Sequence, residues 1–223
     1  MARLKTLLSW SSGKDSAWTL YRLRSDERYE VVGLLTTINA AADRVAMHAV
    51  RSELLRAQAA AADLPLWPVP IPSPCSNEEY EHAMSEAMQR AEVEQIECIA
   101  FGDLFLEDVR RYREEKLAAT RIRPIFPLWG SDTCALAQEM LAGGLRARIT
   151  CVDPRVAPRS LAGRDFDPAE LSESIDPCGE RGEFHTFAYA GPMFQAPIAI
   201  ESGAVVERDG FVFADLTLCH PER

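Results

Sequence analysis

Six residues near the N-terminus, Ser11-Ser12-Gly13-Lys14-Asp15-Ser16, follow the apolar run at 4–10 and open a helical pattern. A strand that turns through small residues into a helix commits the chain to a βα unit, and small side chains there let backbone N–H groups close around an anion. The helix N-terminus adds roughly half a positive charge aimed at the same point. A phosphate chain is the expected ligand. The spacing excludes two other nucleotide loops: G-x-x-x-x-G-K-[ST] needs a hydroxyl residue after the lysine, and G-x-G-x-x-G needs three spaced glycines. Here Asp15 follows Lys14, and Gly13 stands between hydroxyl residues. The chain uses arginine almost everywhere for positive charge and has only Lys5, Lys14 and Lys116, so a lysine inside this turn stands out.

Strand and helix patterns alternate after the turn. Residues 4–10 and 31–37 read as strands around a helix from about Ser16, and an Ala-, Leu- and Arg-rich stretch at 44–62 reads as a long helix. The run at 66–71 is strand-like, and its prolines place it at a sheet edge. Asn77, Glu78 and Glu79 start a helix with Tyr80, Met84, Ala87, Met88 and Ala91 on one face. A buried strand at 98–101 and a helix at about 106–119 follow. Such alternation predicts an α/β fold, a Rossmann-like parallel sheet with helices on both faces and ligands beyond the strand C-termini. The turn at 11–16, Thr36 and the pair Gly102-Asp103 fall on that rim.

After Trp129 the pattern changes. Asp132 caps a helix ending at Gly143-Gly144, and residues 146–152 form a strand. Short strands are expected at 183–189, 198–202, 205–208 and 211–218, with Asp209-Gly210 as a hairpin turn. The expected organisation is a nucleotide-binding domain at 1–128 and a smaller α+β domain at 129–223.

The 223 residues are 47% hydrophobic and carry a formal charge of −10. Nucleic-acid binding draws on Lys and Arg to neutralise phosphates, so RNA is not an expected partner. Arg110, Arg111 and Arg113 are interleaved with Glu107, Asp108, Glu114 and Glu115, the composition of a solvated helix face, with a contact from one or more of them to a phosphate left open. No apolar run approaches the ~20 residues of a membrane span, so a cytoplasmic protein is expected. The six cysteines form no C-x-x-C pair, which argues for reduced thiols.

A second dense motif, Asp176-Pro177-Cys178-Gly179-Glu180-Arg181-Gly182-Glu183-Phe184-His185-Thr186, completes the picture. The N-terminal turn resembles the pyrophosphate loop of ATP pyrophosphatases, usually S-G-G-x-D-S, with Ser12 in place of a glycine. That position matters, since serine tolerates positive φ less readily than glycine. Together with Phe101-Gly102-Asp103, the segment Pro124-Ile125-Phe126-Pro127-Leu128-Trp129 and the late G-E-x-G-E-F-H-T, the chain resembles the diphthine–ammonia ligase family. These are the N-type ATP pyrophosphatases of the adenine nucleotide α-hydrolase group, with a HUP-type Rossmann-like fold.

The resemblance implies ATP and Mg2+, a carboxylate acceptor activated as its adenylate, and ammonia as nitrogen donor, since nothing in the chain resembles a glutamine-hydrolysing domain. The family's acceptor is diphthine, a modified histidine on an elongation factor. Ser11, Ser12, Gly13 and Ser16 are then expected to bind phosphate, Lys14 to compensate charge and Asp15 to hold Mg2+. Thr36, Gly102 and Asp103 join the nucleotide site. Gly179, Glu180, Gly182 and Thr186 face the acceptor, and either Glu183 or His185 takes the proton from the incoming amine. His185 acting only to orient Glu183 remains open at this point. So do a tRNA-modifying relative, a non-catalytic ATP-binding module, and the choice between monomer and homodimer.

Overall fold

The computed structural model describes residues 2–39, 44–45 and 50–219. Strand β1 (Leu4–Ser9) leads into helix α1 (Lys14–Arg24), then β2 (Tyr29–Asn39), β3 (Arg44–Val45), α2 (Ser52–Ala61) and β4 (Leu66–Ile71). Next come α3 (Asn77–Val93), β5 (Cys98–Ala100), α4 (Glu107–Leu117), β6 (Arg123–Ile125) and α5 (Thr133–Ala142). The chain ends in β7 (Arg146–Val152), β8 (Phe184–Ala190), β9 (Ile200–Arg208) and β10 (Phe211–Leu218).

Five parallel strands lie in the order β4-β2-β1-β5-β6, with β3 antiparallel to the end of β2. This is the Rossmann order, and the direction of winding reverses between β1 and β5, where ligands of such sheets bind. Side chains alternate across the sheet. Leu8, Leu34 and Ala100 enter one core, while Leu7, Leu35 and Ile99 enter the other with Trp67, Met88 and Leu117. α3 starts with a full capping box between Ser76 and Glu79.

The second sheet is antiparallel, in the order β8-β7-β10-β9. Its buried face shares one hydrophobic cluster with α1, α2 and α5, so Trp18, Leu55 and Met140 pack with Phe184, Phe187 and Leu216. Helices α1 and α2 are therefore sandwiched between the two sheets, and the core continues across residues 128 and 129. No described helix is long and apolar enough to cross a membrane.

Several element expectations change. The helix expected at 44–62 is shorter. Val45 pairs with Ile38 in β3, and α2 begins only at Ser52; residues 40–43 and 46–49 lie outside the described part. β6 falls at the edge of the 124–129 motif and escapes sequence reading, because three residues give no period. Segments 198–202 and 205–208 are one strand, β9. Its Gly203 lies opposite a register shift, where a Cβ would come within 3.3 Å of Asp215. The Asp209-Gly210 turn is present, with both residues at positive φ (53° and 80°).

Candidate active site

The turn from β1 into α1 has an unusual backbone. Ser12 sits at φ 71° and is fully buried, although L-residues avoid this region by roughly 1–2 kcal/mol. Its carbonyl accepts the Ala188 N–H of β8 (2.9 Å) and Nε2 of Gln58 from α2 (2.9 Å). Gly13 caps α1 without a side chain, and a Cβ there would lie 3.3 Å from the Thr186 carbonyl. Ser16 Oγ donates to the Gly13 carbonyl (2.9 Å), and Ser11 Oγ meets Ser16 Oγ (3.2 Å) and accepts the Gly13 N–H (3.3 Å). These bonds tie the loop to itself, to β8 and to α2.

Lys14 does not reach into the open. It is 2% exposed; its N–H donates to Thr186 Oγ1 (3.0 Å), and its ammonium donates to Asp15 (2.8 Å) and to the Cys178 carbonyl. The rings of Phe166 and Phe184 flank it at 5.5 and 5.4 Å. Burial opposes the charge, but Asp15 foremost and Glu180 beyond it hold the Lys14 pKa above its ordinary value. Burial pushes the Asp15 carboxyl up as well, against the pull of Lys14 and with Asp176 adding to it. One cation serves several acids.

The late motif folds around its own acids. Asp176 accepts the N–H groups of Cys178 (3.0 Å) and Glu180 (3.2 Å), and its other oxygen accepts the Thr133 hydroxyl (2.8 Å). Glu183 is 4% exposed, and its two oxygens accept the N–H groups of Asp176 (3.1 Å) and Arg181 (3.0 Å). Both oxygens of Glu183 are thus engaged by N–H groups of its own loop. Gly179 at φ 68° has the Phe184 carbonyl 2.9 Å from where a Cβ would stand, and Gly182 lies at φ 87°.

Glu180 and His185 are the motif's perturbed groups. Burial pushes the Glu180 carboxyl up to about 7, opposed by the Leu104 N–H it accepts at 2.7 Å. Burial, with Lys14 nearby, pulls His185 down to about 4, so its imidazole is neutral at pH 7. Cys178 is buried and pushed up to about 12, an inert thiol donating to the Thr133 carbonyl.

The rim after β5 joins both sides. Gly102 lies against the first turn of α1, where a Cβ would come within 3.2 Å of Asp15 and Ser16 backbone atoms. Asp103 is held by Arg113 in a two-pronged pair (2.5 and 3.1 Å). On the α3 and α4 side of the loop, a cavity of about 480 Å³ is walled by Ser11, Thr36, Met84, Met88, Phe101 and Arg113. Thr36 is buried and its hydroxyl has no hydrogen-bond partner. The structure therefore brings 11–16, 102–103 and 179–186 together and leaves Thr36 across the loop, in the cavity wall.

Gln58, and the hydrogen bonds that Asp176 accepts, are site features that sequence reading missed, while Arg113 holds Asp103. Gln58 carried one signal: it falls on the buried stripe of α2 with Leu54, Leu55 and Ala59.

Two family models match the chain in succession. The diphthamide synthase N-terminal domain matches residues 4–120, and the diphthamide synthase C-terminal domain matches residues 132–215. Diphthine–ammonia ligase of Danio rerio is 30% identical over 151 residues, covering 64% of this chain and 59% of that protein. The Bos taurus enzyme of that name is 29% identical over 154 residues (65% and 57%), and the Homo sapiens one 29% over 149 residues (63% and 55%). The match thus spans less than two thirds of each relative's length. With the two domains matched in order, one covering the turn at 11–16 and one covering the late motif, the chain belongs to the diphthamide synthase family.

Proposed function

We propose that this chain binds ATP with its phosphates at the 11–16 loop and its nucleoside in the adjoining cavity, and that it makes an amide from a carboxylate and ammonia. The carboxylate attacks the α-phosphorus, pyrophosphate leaves, and ammonia then displaces AMP from the acyl-adenylate. The observation that carries this reading is the left-handed, hydrogen-bonded turn at the N-terminus of α1, opening beside a cavity whose wall holds an unpartnered buried hydroxyl on Thr36. The acceptor is the diphthine of an elongation factor, as the names of the relatives state diphthine for them, and the chain works in the cytoplasm.

Ser11, Gly13 and Ser16 present hydroxyl and amide donors to the departing pyrophosphate, and Ser12 shapes the turn. No group of three His, Cys, Asp or Glu side chains among the described residues could hold a metal alone. That fits an Mg2+ carried largely by phosphates and water, with Asp15 as its single protein carboxylate. When bound, it neutralises phosphate oxygens. Lys14 keeps loop and late motif in register. Glu180, poised near 7, takes the proton from the attacking amine, because a base near the working pH combines availability with strength. Glu183 fixes the loop that carries Glu180, and neutral His185 and Thr186 line the acceptor side with Gly179 and Gly182. Residues 1–128 thus hold the nucleotide, and residues 129–223 present the acceptor.

Incubation with ATP, Mg2+, ammonium and a diphthine-bearing acceptor tests this. AMP, pyrophosphate and amide should appear in equal amounts. ADP as the product would refute the cleavage site.

A further inference from the structure

Gln58 sits on the apolar stripe of α2, yet it is a primary amide with no exposed surface. Its side-chain hydrogen bonds run to the phosphate loop and to the loop's support. Nε2 donates to the Ser12 carbonyl (2.9 Å) and to the Ala188 carbonyl of β8 (2.7 Å), and Oε1 accepts the Trp10 indole N–H (2.9 Å). The indole fixes which way the amide faces, so both N–H groups are committed to the two carbonyls.

Ser12 needs such a support. It holds a left-handed conformation at φ 71° without help from its own side chain, because its buried hydroxyl has no partner. The peptide joining Ser12 to Gly13 is planar and trans, so its carbonyl and N–H point in opposite directions. Pinning the carbonyl inward, between Gln58 and the Ala188 N–H, turns the Gly13 N–H to the opposite side, where Ser11 Oγ accepts it at a long 3.3 Å and a phosphate oxygen would take its place. A glycine in place of Ser12 would adopt this conformation with little cost.

We propose that Gln58 is a positioning residue for the phosphate loop: its amide holds Ser12 in the left-handed conformation that turns the Gly13 N–H, and the Ser11 hydroxyl it meets, toward the ligand side of the turn. This rests on the reading of the loop as the phosphate site. Ser12 and Gln58 then form one unit, in which the amide from α2 replaces the freedom that a glycine would have supplied.

A double-mutant cycle decides it, using wild type, S12G, Q58M and S12G/Q58M, with ATP and Mg2+ as the probe. Methionine keeps the length of the side chain and removes the donors. With Ser12 present, Q58M should weaken ATP binding roughly 5- to 30-fold, the left-handed penalty of one L-residue expressed as affinity. In the S12G background, the same change should cost less than about 3-fold. Equal losses in the two backgrounds would mean that Gln58 supports the fold in general, and would overturn the proposal.

Thermal unfolding without nucleotide gives a second readout that does not depend on the phosphate reading. S12G should raise the midpoint more when Gln58 is present than in the Q58M background, because only the clamped serine is strained. Equal increments overturn the inference even if wild type proves not to bind ATP, a result that would separately refute the proposed function. Where Q58M cannot be purified, the thermal cycle is run with W10F, which removes the N–H that orients the amide; a larger S12G increment beside Trp10 supports the proposal, and equal increments overturn it.

Discussion

Replacing Lys14 by methionine isolates the one buried cation of the site. Its ammonium is paired with Asp15 at 2.8 Å and donates to the Cys178 carbonyl, at 2% exposure. Removing one partner of a buried ion pair costs about 3–5 kcal/mol, because a charge is left without compensation. Two features reduce this. The Asp15 side chain is 26% exposed and can be partly hydrated, and methionine fits the apolar slot between Phe166 and Phe184. The expected loss is therefore about 2–4 kcal/mol, a large share of the roughly 5–15 kcal/mol of a typical domain. Urea unfolding followed by tryptophan emission reads it, since Trp10 and Trp18 are 2% and 1% exposed. The midpoint should fall by about 1 M or more. D15N added to K14M should return about 1–2 kcal/mol by removing the orphaned charge. A K14M midpoint within about 0.3 M of wild type, or a D15N that only adds to the loss, would refute the assignment of Lys14 as an internal tie.

Three other outcomes follow from the geometry. Glu180, pushed up to about 7, binds its proton more tightly when folded, so its contribution to stability declines as pH rises from about 4.5 to 7; His185, pulled down to about 4, contributes stability that is lost as pH falls from about 6.5 to 4. The two are each worth roughly 3 kcal/mol and nearly cancel in wild type, so E180Q should unmask acid sensitivity and H185N a decline toward neutral pH, both visible in urea midpoints measured from pH 4 to 8. Thr36→Val should raise stability by about 1 kcal/mol, because it removes an unpartnered buried hydroxyl, while titration calorimetry shows ATP binding weakened about tenfold. Gly102→Ala should push the rim off α1, costing about 1–3 kcal/mol in thermal unfolding and weakening ATP binding, since its Cβ would meet Asp15 and Ser16 backbone at 3.2 Å.

Long periodic elements were legible in the chain. α1, α3, α4 and the buried strands announced themselves through spacing, and the Asp209-Gly210 turn through its need for positive φ. The two- and three-residue strands β3 and β6 were not, because so short a segment has no period to read. Gly203 looked like a break and proved to be a bulge position within β9. At the site, residue types pointed to a phosphate turn and an acidic late motif, but not to how the two meet. The contacts of Gln58 with Ser12 and Ala188 bridge 46 and 130 positions, a relation that no local pattern encodes. Lys14 reads as a phosphate ligand by composition; only packing reveals that it turns toward the Cys178 carbonyl.

The seating of the Ser12 carbonyl on the Ala188 N–H, and of the Lys14 N–H on Thr186, has a consequence for inheritance. The turn proposed to grip nucleotide borrows its shape from residues encoded 172 codons later, so the two regions cannot be shuffled as independent cassettes. A hybrid that keeps residues 1–128 and takes its remainder from a distant relative should lose its hold on ATP unless β8 is carried over with it.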